Sequence, residues 1–275
     1  MDRSEASATT PAPLPDNAMV LSGVELRPRL GWTHARVDKA VLNCGDYGIL
    51  ATPRHGANAP NVSAMKPVPD LIETAAAQAA IRLAQSTESP SVFNHSVRSY
   101  LFAELLAARD GLRPGSDYDS ESLFLGCVLH DLGVGTAAPG KSRFEVEGAD
   151  LAAALLTEHG CGRDVVDGVW EAIALHTSGG IAERRGALCH LVRSGVGADF
   201  GRNADFIDEQ VATAIHASYP RLSMASTLVE AIVTHAQRSP DAAPPYSMPG
   251  ELLRERQTGG PTLLEAMASH GRWGD

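Results

Sequence analysis

The stretch LFLGCVLHDLGVG, residues 123–135, runs an apolar segment into an adjacent histidine and aspartate, His130 and Asp131, with a glycine two positions on. Imidazole nitrogen and carboxylate oxygen are the donors that hold Zn2+, and they tolerate Fe2+ or Mn2+. Neighbours on a helix are rotated by roughly 100° from one another, so His130 and Asp131 can face one point only where the helix stops, at Gly133. Two more residues of this chemistry sit near helix ends: His95, in the first turn of SVFNHSVRSYLFAELLAARDG, and Asp199, closing RGALCHLVRSGVGADF. His176 ends VVDGVWEAIALH and precedes Thr177, Ser178 and two glycines. The chain has ten histidines, and His159, His216, His235 and His270 read as helix caps or dipole partners. His95, His130, Asp131 and Asp199 are the candidate metal ligands, two imidazoles and two carboxylates that formally neutralise a divalent ion.

The elements that position these groups are helices. DLIETAAAQAAIRLAQS places Leu71, Ala75, Ala79 and Leu83 at helical spacing, with Asp70 as its N-cap. The helix carrying His95 is capped by Ser91 and stopped by Gly111. SESLFLGCVLHDLG, EVEGADLAAALLTEHG, RDVVDGVWEAIALHTSGG, RGALCHLVRSGVGADF, DEQVATAIHASYP and SMASTLVEAIVTHAQRS follow, and almost none alternates Val, Ile and Thr as a strand does. The expected fold class is all-α, a bundle of short helices joined by glycine turns. Around the bundle domain, 70–238, lie a mobile Ser/Thr/Ala/Pro tail over 1–18, an irregular N-terminal arm over 19–69 that includes HGANAPNVS, and a C-terminal extension over 239–275 with one short helical stretch, LLEAMASH.

With 275 residues, 20% charged and 44% hydrophobic, the chain can bury a sizeable core. Its net charge of -10, with no lysine- or arginine-rich cluster, speaks against a nucleic-acid partner; Arg184-Arg185 is a solvated helix start. Cys44, Cys127, Cys161 and Cys189 form no CxxC, and Cys127 and Cys189 lie in apolar helical patterns as small core residues. No apolar run approaches the ~20 residues of a membrane span, and MDRSEASATTPAPLPD has no hydrophobic h-region. A cytoplasmic protein with no membrane association is expected, and a homo-oligomer built through the N-terminal arm is left open.

His95, His130-Asp131 and Asp199 resemble the HD-domain superfamily of metal-dependent phosphohydrolases and related enzymes, whose pattern is a histidine, a His-Asp pair and a distant aspartate, all on helices. The resemblance implies an HD-domain helical bundle. Two-metal members carry a further histidine four residues before a Gly-Ala pair. That pair is Gly148-Ala149 here, and the position is Phe144, whose ring cannot coordinate, so a single-metal site is implied. Phosphohydrolases of the superfamily often read HD-Ile/Leu-Gly-Lys; here Val134 stands where that lysine would be, and a small neutral substrate fits better than a phosphate. FNHSVRSY, HDLG, RFEVEGADLA, AIALHTSGGIA and LVRSGVGADF together resemble the cyanamide hydratase branch, mononuclear zinc enzymes that add water to cyanamide, giving urea.

On that resemblance the chain is expected to be a mononuclear metal-dependent hydratase acting on a small neutral nitrile-type molecule. The metal would activate water, Asp131 would orient it, and His176 would bind the substrate or shuttle a proton to its nitrogen. Thr177, Asn94 and Phe144 are the remaining candidate substrate contacts, and Arg98, Tyr100 and Glu145 the supporting residues. Arg98, three residues after His95 and on the same face, is expected to pair with Glu145 or with a ligand carboxylate. The rival readings are an HD-type nucleotide phosphohydrolase, a di-iron HD oxygenase and a non-catalytic metal-stabilised ligand-binding module.

Overall fold

A computed structural model describes residues 68–275; the expected tail and nearly all of the arm, with HGANAPNVS and Cys44, lie outside the described residues. Among these, ten α-helices and no strand occur: α1 (Ala75–Thr87), α2 (Pro90–Arg109), α3 (Ser120–Val128), α4 (Phe144–Glu158), α5 (Arg163–Leu175), α6 (Ala187–Asp199), α7 (Glu209–Ser218), α8 (Met224–Ala236), α9 (Met248–Thr258) and α10 (Leu263–His270). The fold is all-α, as its patterning requires.

The main core lies among α1 to α7 and holds Leu101, Phe102, Leu123, Leu125, Leu129, Leu156, Ile173 and Leu191. Cys127 and Cys189 are buried free thiols. A second, smaller core joins Val92, Phe144, Leu228, Ile232 and Leu252, from α2, α4, α8 and α9. The site lies between the two.

Two glycines set the close approaches that matter. A Cβ on Gly195 would lie 2.2 Å from the carbonyl oxygen of Ser99, so α6 can run against α2 only because no side chain stands there; this brings the end of α6 to His95. A Cβ on Gly133 would lie 1.8 Å from the carbonyl oxygen of Phe144. The turn after His130-Asp131 therefore touches the start of α4, backbone to backbone.

Three expectations about the helices need correction. Asp70 does not cap α1; Thr74 does, its hydroxyl oxygen accepting from the Ala77 amide. The chain before Thr74 is non-helical and lays Leu71 and Ile72 on the core instead. Ser89, not Ser91, caps α2, with Pro90 in the first turn where its missing N–H does no harm; the Ser91 hydroxyl donates to the carbonyl of Arg221. This earlier start moves His95 into the second turn. The extension contains α9 as well as LLEAMASH: Ser247 caps it and Pro249 sits in its first turn, the place in a helix that tolerates proline. The chain end is tied down, Trp273 stacking on Phe102 at 5.7 Å and Asp275 accepting from the amides of Ala225 and Ser226.

Candidate metal centre

α3 ends at Val128, and His130 and Asp131 occupy the turn that follows. Leaving helical geometry lets both side chains aim inward, the arrangement their adjacency requires. His95 enters from α2 and His176 from the C-cap of α5. All four are buried.

The backbone fixes the tautomers. His130 Nδ1 lies 2.7 Å from the carbonyl oxygen of Cys127, and His176 Nδ1 2.6 Å from that of Ile173. A carbonyl only accepts, so each Nδ1 carries the hydrogen and each Nε2 offers a lone pair. His95 Nδ1 donates to the Asp199 carboxylate at 2.7 Å, with the same result. The three Nε2 atoms face Asp131: His130 at 3.1 Å and His95 at 3.8 Å from Oδ2, His176 at 4.0 Å from Oδ1. One donor atom each from His95, His130 and Asp131 lies within 4.8 Å of the others.

His95 Nε2, His130 Nε2 and Asp131 Oδ2 are buried and have no hydrogen-bond partner. Orphaned buried donors and acceptors carry a desolvation penalty of about 1–3 kcal/mol each, and three together, all lone-pair bearing, suit a cation. Electrostatics agree. Burial opposes charge on Asp131, yet His130 beside it holds the carboxyl well below the usual range. Burial also disfavours a charged His130, but Asp131 outweighs it and the pKa is raised. His176 is pushed down to about 4 by burial and by His130.

Asp199 does not join this group. Its Oδ2 accepts from His95 Nδ1 and from Arg98 Nη2 at 2.7 Å, and its Oδ1 from Arg98 Nε at 2.7 Å and Arg221 Nη1 at 3.3 Å. The expected fourth ligand instead stands behind His95, on the far side of the ring from the cluster. Its carboxyl is held far below the usual range, against burial, chiefly by Arg98. Arg98 thus pairs with a carboxylate of the expected set, while Glu145 pairs with Arg143. Arg221 carried no signal in the sequence, being one arginine in the loop before α8.

The other expected contacts divide. Phe144 and Thr177 border the cavity above the cluster. The Phe144 ring meets His176 edge-on at 5.6 Å. Thr177 Oγ1 donates to Glu145 at 2.6 Å. Asn94 does not reach the cavity: one residue from His95 on a helix, it turns away and donates to the carbonyl of Pro220 at 2.8 Å. Tyr100 lies in the main core against Phe124. Arg193, which sequence reasoning missed, donates to the carbonyl of His176 at 2.7 Å and pairs with Glu183.

Helices delivering a histidine and a His-Asp pair to one buried point, with a carboxylate behind the first histidine, define a metal-dependent enzyme of the HD type. The chain belongs to the HD domain family, which matches residues 92–239. Two proteins of Saccharomyces cerevisiae, cyanamide hydratase DDI2 and cyanamide hydratase DDI3, are each 28% identical to it over 206 residues, spanning 70% of this chain and 88% of theirs. Among the described residues no helix is long and apolar enough to cross a membrane.

Proposed function

We propose that this chain is a mononuclear metal-dependent hydratase that adds water across the carbon–nitrogen triple bond of a neutral cyanamide- or nitrile-type substrate. The observation that carries the reading is the set of unpartnered, lone-pair-bearing atoms of His95, His130 and Asp131 at the floor of a mostly apolar cavity. The names of the two yeast relatives supply the substrate class.

His95 Nε2, His130 Nε2 and an Asp131 oxygen would hold the ion, Zn2+ by donor preference with Fe2+ or Mn2+ as alternatives. When bound, a divalent ion supplies the positive charge that makes water acidic near neutral pH and polarises the substrate. Asp199 fixes the His95 ring, and Arg98 fixes Asp199. Asp131 orients the attacking water through its second oxygen. His176 Nε2, its lone pair directed by the bond to Ile173, accepts a proton as the C–O bond forms and returns it to the substrate nitrogen. Tautomerisation of the product imidic acid then gives urea from cyanamide, or an amide from a nitrile. Phe144 and the apolar walls exclude bulk water. They also disfavour the rivals, since a phosphate would meet an Arg193 already paired with Glu183 and an Arg202 exposed to solvent, and a second iron would meet the Phe144 ring in place of an imidazole.

The test is metal analysis of the purified protein together with urea release from cyanamide. One divalent ion per chain and metal-dependent urea are expected. His176→Ala should keep the metal and lose at least ~100-fold in rate. A preparation that folds and binds no ion, or is metal-loaded and inert on every cyanamide and nitrile, overturns the reading.

A further inference from the structure

The cavity above the cluster has a volume of about 560 Å3. Cyanamide has three non-hydrogen atoms and occupies about the volume of two water molecules, ~60 Å3. It would fill only a small part of the space. Cavities of several hundred Å3 normally enclose molecules many times larger.

The surplus volume is mostly apolar. Its walls are Phe144, Phe200, Leu228, Ile232, Met248 and Leu264. Leu228 and Ile232 are one helical turn apart on α8 and present one face. Met248 opens α9 and Leu264 lies in the first turn of α10. These last two, with Met267 and His270 beside them, lie beyond residues 92–239, the segment matched by the family. The C-terminal extension therefore builds one wall of the cavity. Of the cations at its edge, Arg193 is committed to Glu183 and to the His176 carbonyl. Arg202 is exposed to solvent, so no buried charge faces the apolar wall to bind an anionic body.

We infer that the cavity is a specificity pocket for a substrate with an apolar body about the size of a phenyl ring or a six-carbon chain, a monosubstituted cyanamide or a nitrile, whose triple bond reaches the cluster while the body rests on α8 and α10. This rests on the hydratase reading and narrows its substrate class. The reaction balances with water alone: the C–O bond forms as a C≡N π bond and an O–H bond break, one proton passes to nitrogen, the hydroxyl proton follows on tautomerisation, and an N-substituted urea or a primary amide leaves.

The test uses the full chain and two compounds, phenylcyanamide and its product phenylurea. Hydration of phenylcyanamide is compared with that of cyanamide. At roughly 0.8 kcal/mol per buried carbon, the KM for phenylcyanamide should be at least ~100-fold lower. Independently of turnover, phenylurea binding to metal-loaded and metal-stripped protein is followed by calorimetry, and both forms should bind it. Leu264→Trp, at a half-buried position where an indole can enter the cavity, should weaken phenylurea binding at least tenfold. It should also lower the ratio of kcat/KM for phenylcyanamide over cyanamide by a similar factor. Cyanamide hydration without phenylurea binding and without preference for phenylcyanamide overturns this inference and leaves the hydratase reading standing. Phenylurea binding sensitive to Leu264→Trp, in a protein that hydrates neither compound, does the reverse. Neither binding nor turnover overturns both.

Discussion

The floor and the wall of one cavity are built on different principles. The floor is made by backbone: a helix end at Val128, a turn that touches α4 at Gly133, and an α2–α6 contact closed over Gly195. Its side chains are held by carbonyls of Cys127 and Ile173 and by the Asp199 carboxylate. The wall is made of mostly apolar side-chain volume on α8, α9 and α10. Geometry of the first kind tolerates no added atom. Geometry of the second changes by degrees, which suits a floor that sets the reaction and a wall that sets what fits.

The floor breaks first. His130→Ala removes one of three converging donors and should abolish metal retention on gel filtration, with urea release down by at least ~1000-fold. Gly133→Ala leaves every donor in place but puts a methyl group 1.8 Å from the Phe144 carbonyl oxygen. Either the turn or α4 must move. A stability loss above about 4 kcal/mol, in the range of the most severe single substitutions, is expected in denaturant titration.

Asp199→Asn separates ligand from support. The amide oxygen can still accept from His95 Nδ1, but Arg98 and Arg221 lose their buried counter-charge. Metal affinity should fall 10–100-fold, as for other residues that orient a ligating histidine, measured by competition with a chelator on folded protein. Complete loss of metal from a folded Asp199→Asn protein, equal to His130→Ala, would show that Asp199 itself binds the ion and that its bond to His95 is a feature of the metal-free arrangement.

Residue type and order in the sequence pointed to His95, His130, Asp131 and His176 because adjacency at a helix end and glycine punctuation leave local traces. The side of His95 on which Asp199 stands left none: it depends on how α6 packs on α2, a contact between residues about a hundred positions apart. The same holds for Arg221, which reaches Asp199 only through the loop before α8. Thr74 and Ser89 were missed as caps because several polar residues competed for each role, and extended packing of Leu71 and Ile72 decided one case. α9 was missed because its Pro249 and Gly250 read as breakers, although a first turn accommodates both.

The wall should yield more gently. Leu228→Ala removes methyl groups that border an existing cavity, so part of the usual packing loss is already present. About 2 kcal/mol of destabilisation, at the lower end for a buried leucine, should come with unchanged metal content by elemental analysis. A loss of metal here would mean that the second core helps to hold Phe144 and His176, and that floor and wall are not separable.

The smallest effect belongs to a residue that sequence reasoning placed in the site. Asn94 precedes His95 by one position, so its side chain points roughly 100° away around α2, whereas Arg98, three positions on, returns to the same face and meets Asp199. The Asn94 amide donates to the carbonyl of Pro220, in the loop that also presents carbonyls to Arg98. A single partly exposed hydrogen bond of this kind contributes about 1 kcal/mol. Asn94→Ala should therefore lower the midpoint of thermal unfolding by a few degrees at most and leave KM for cyanamide within about twofold. A tenfold rise in KM with normal stability would place the amide at the substrate. It would also require α2 to be rotated relative to α6, and with it the bond between His95 and Asp199 on which the floor depends.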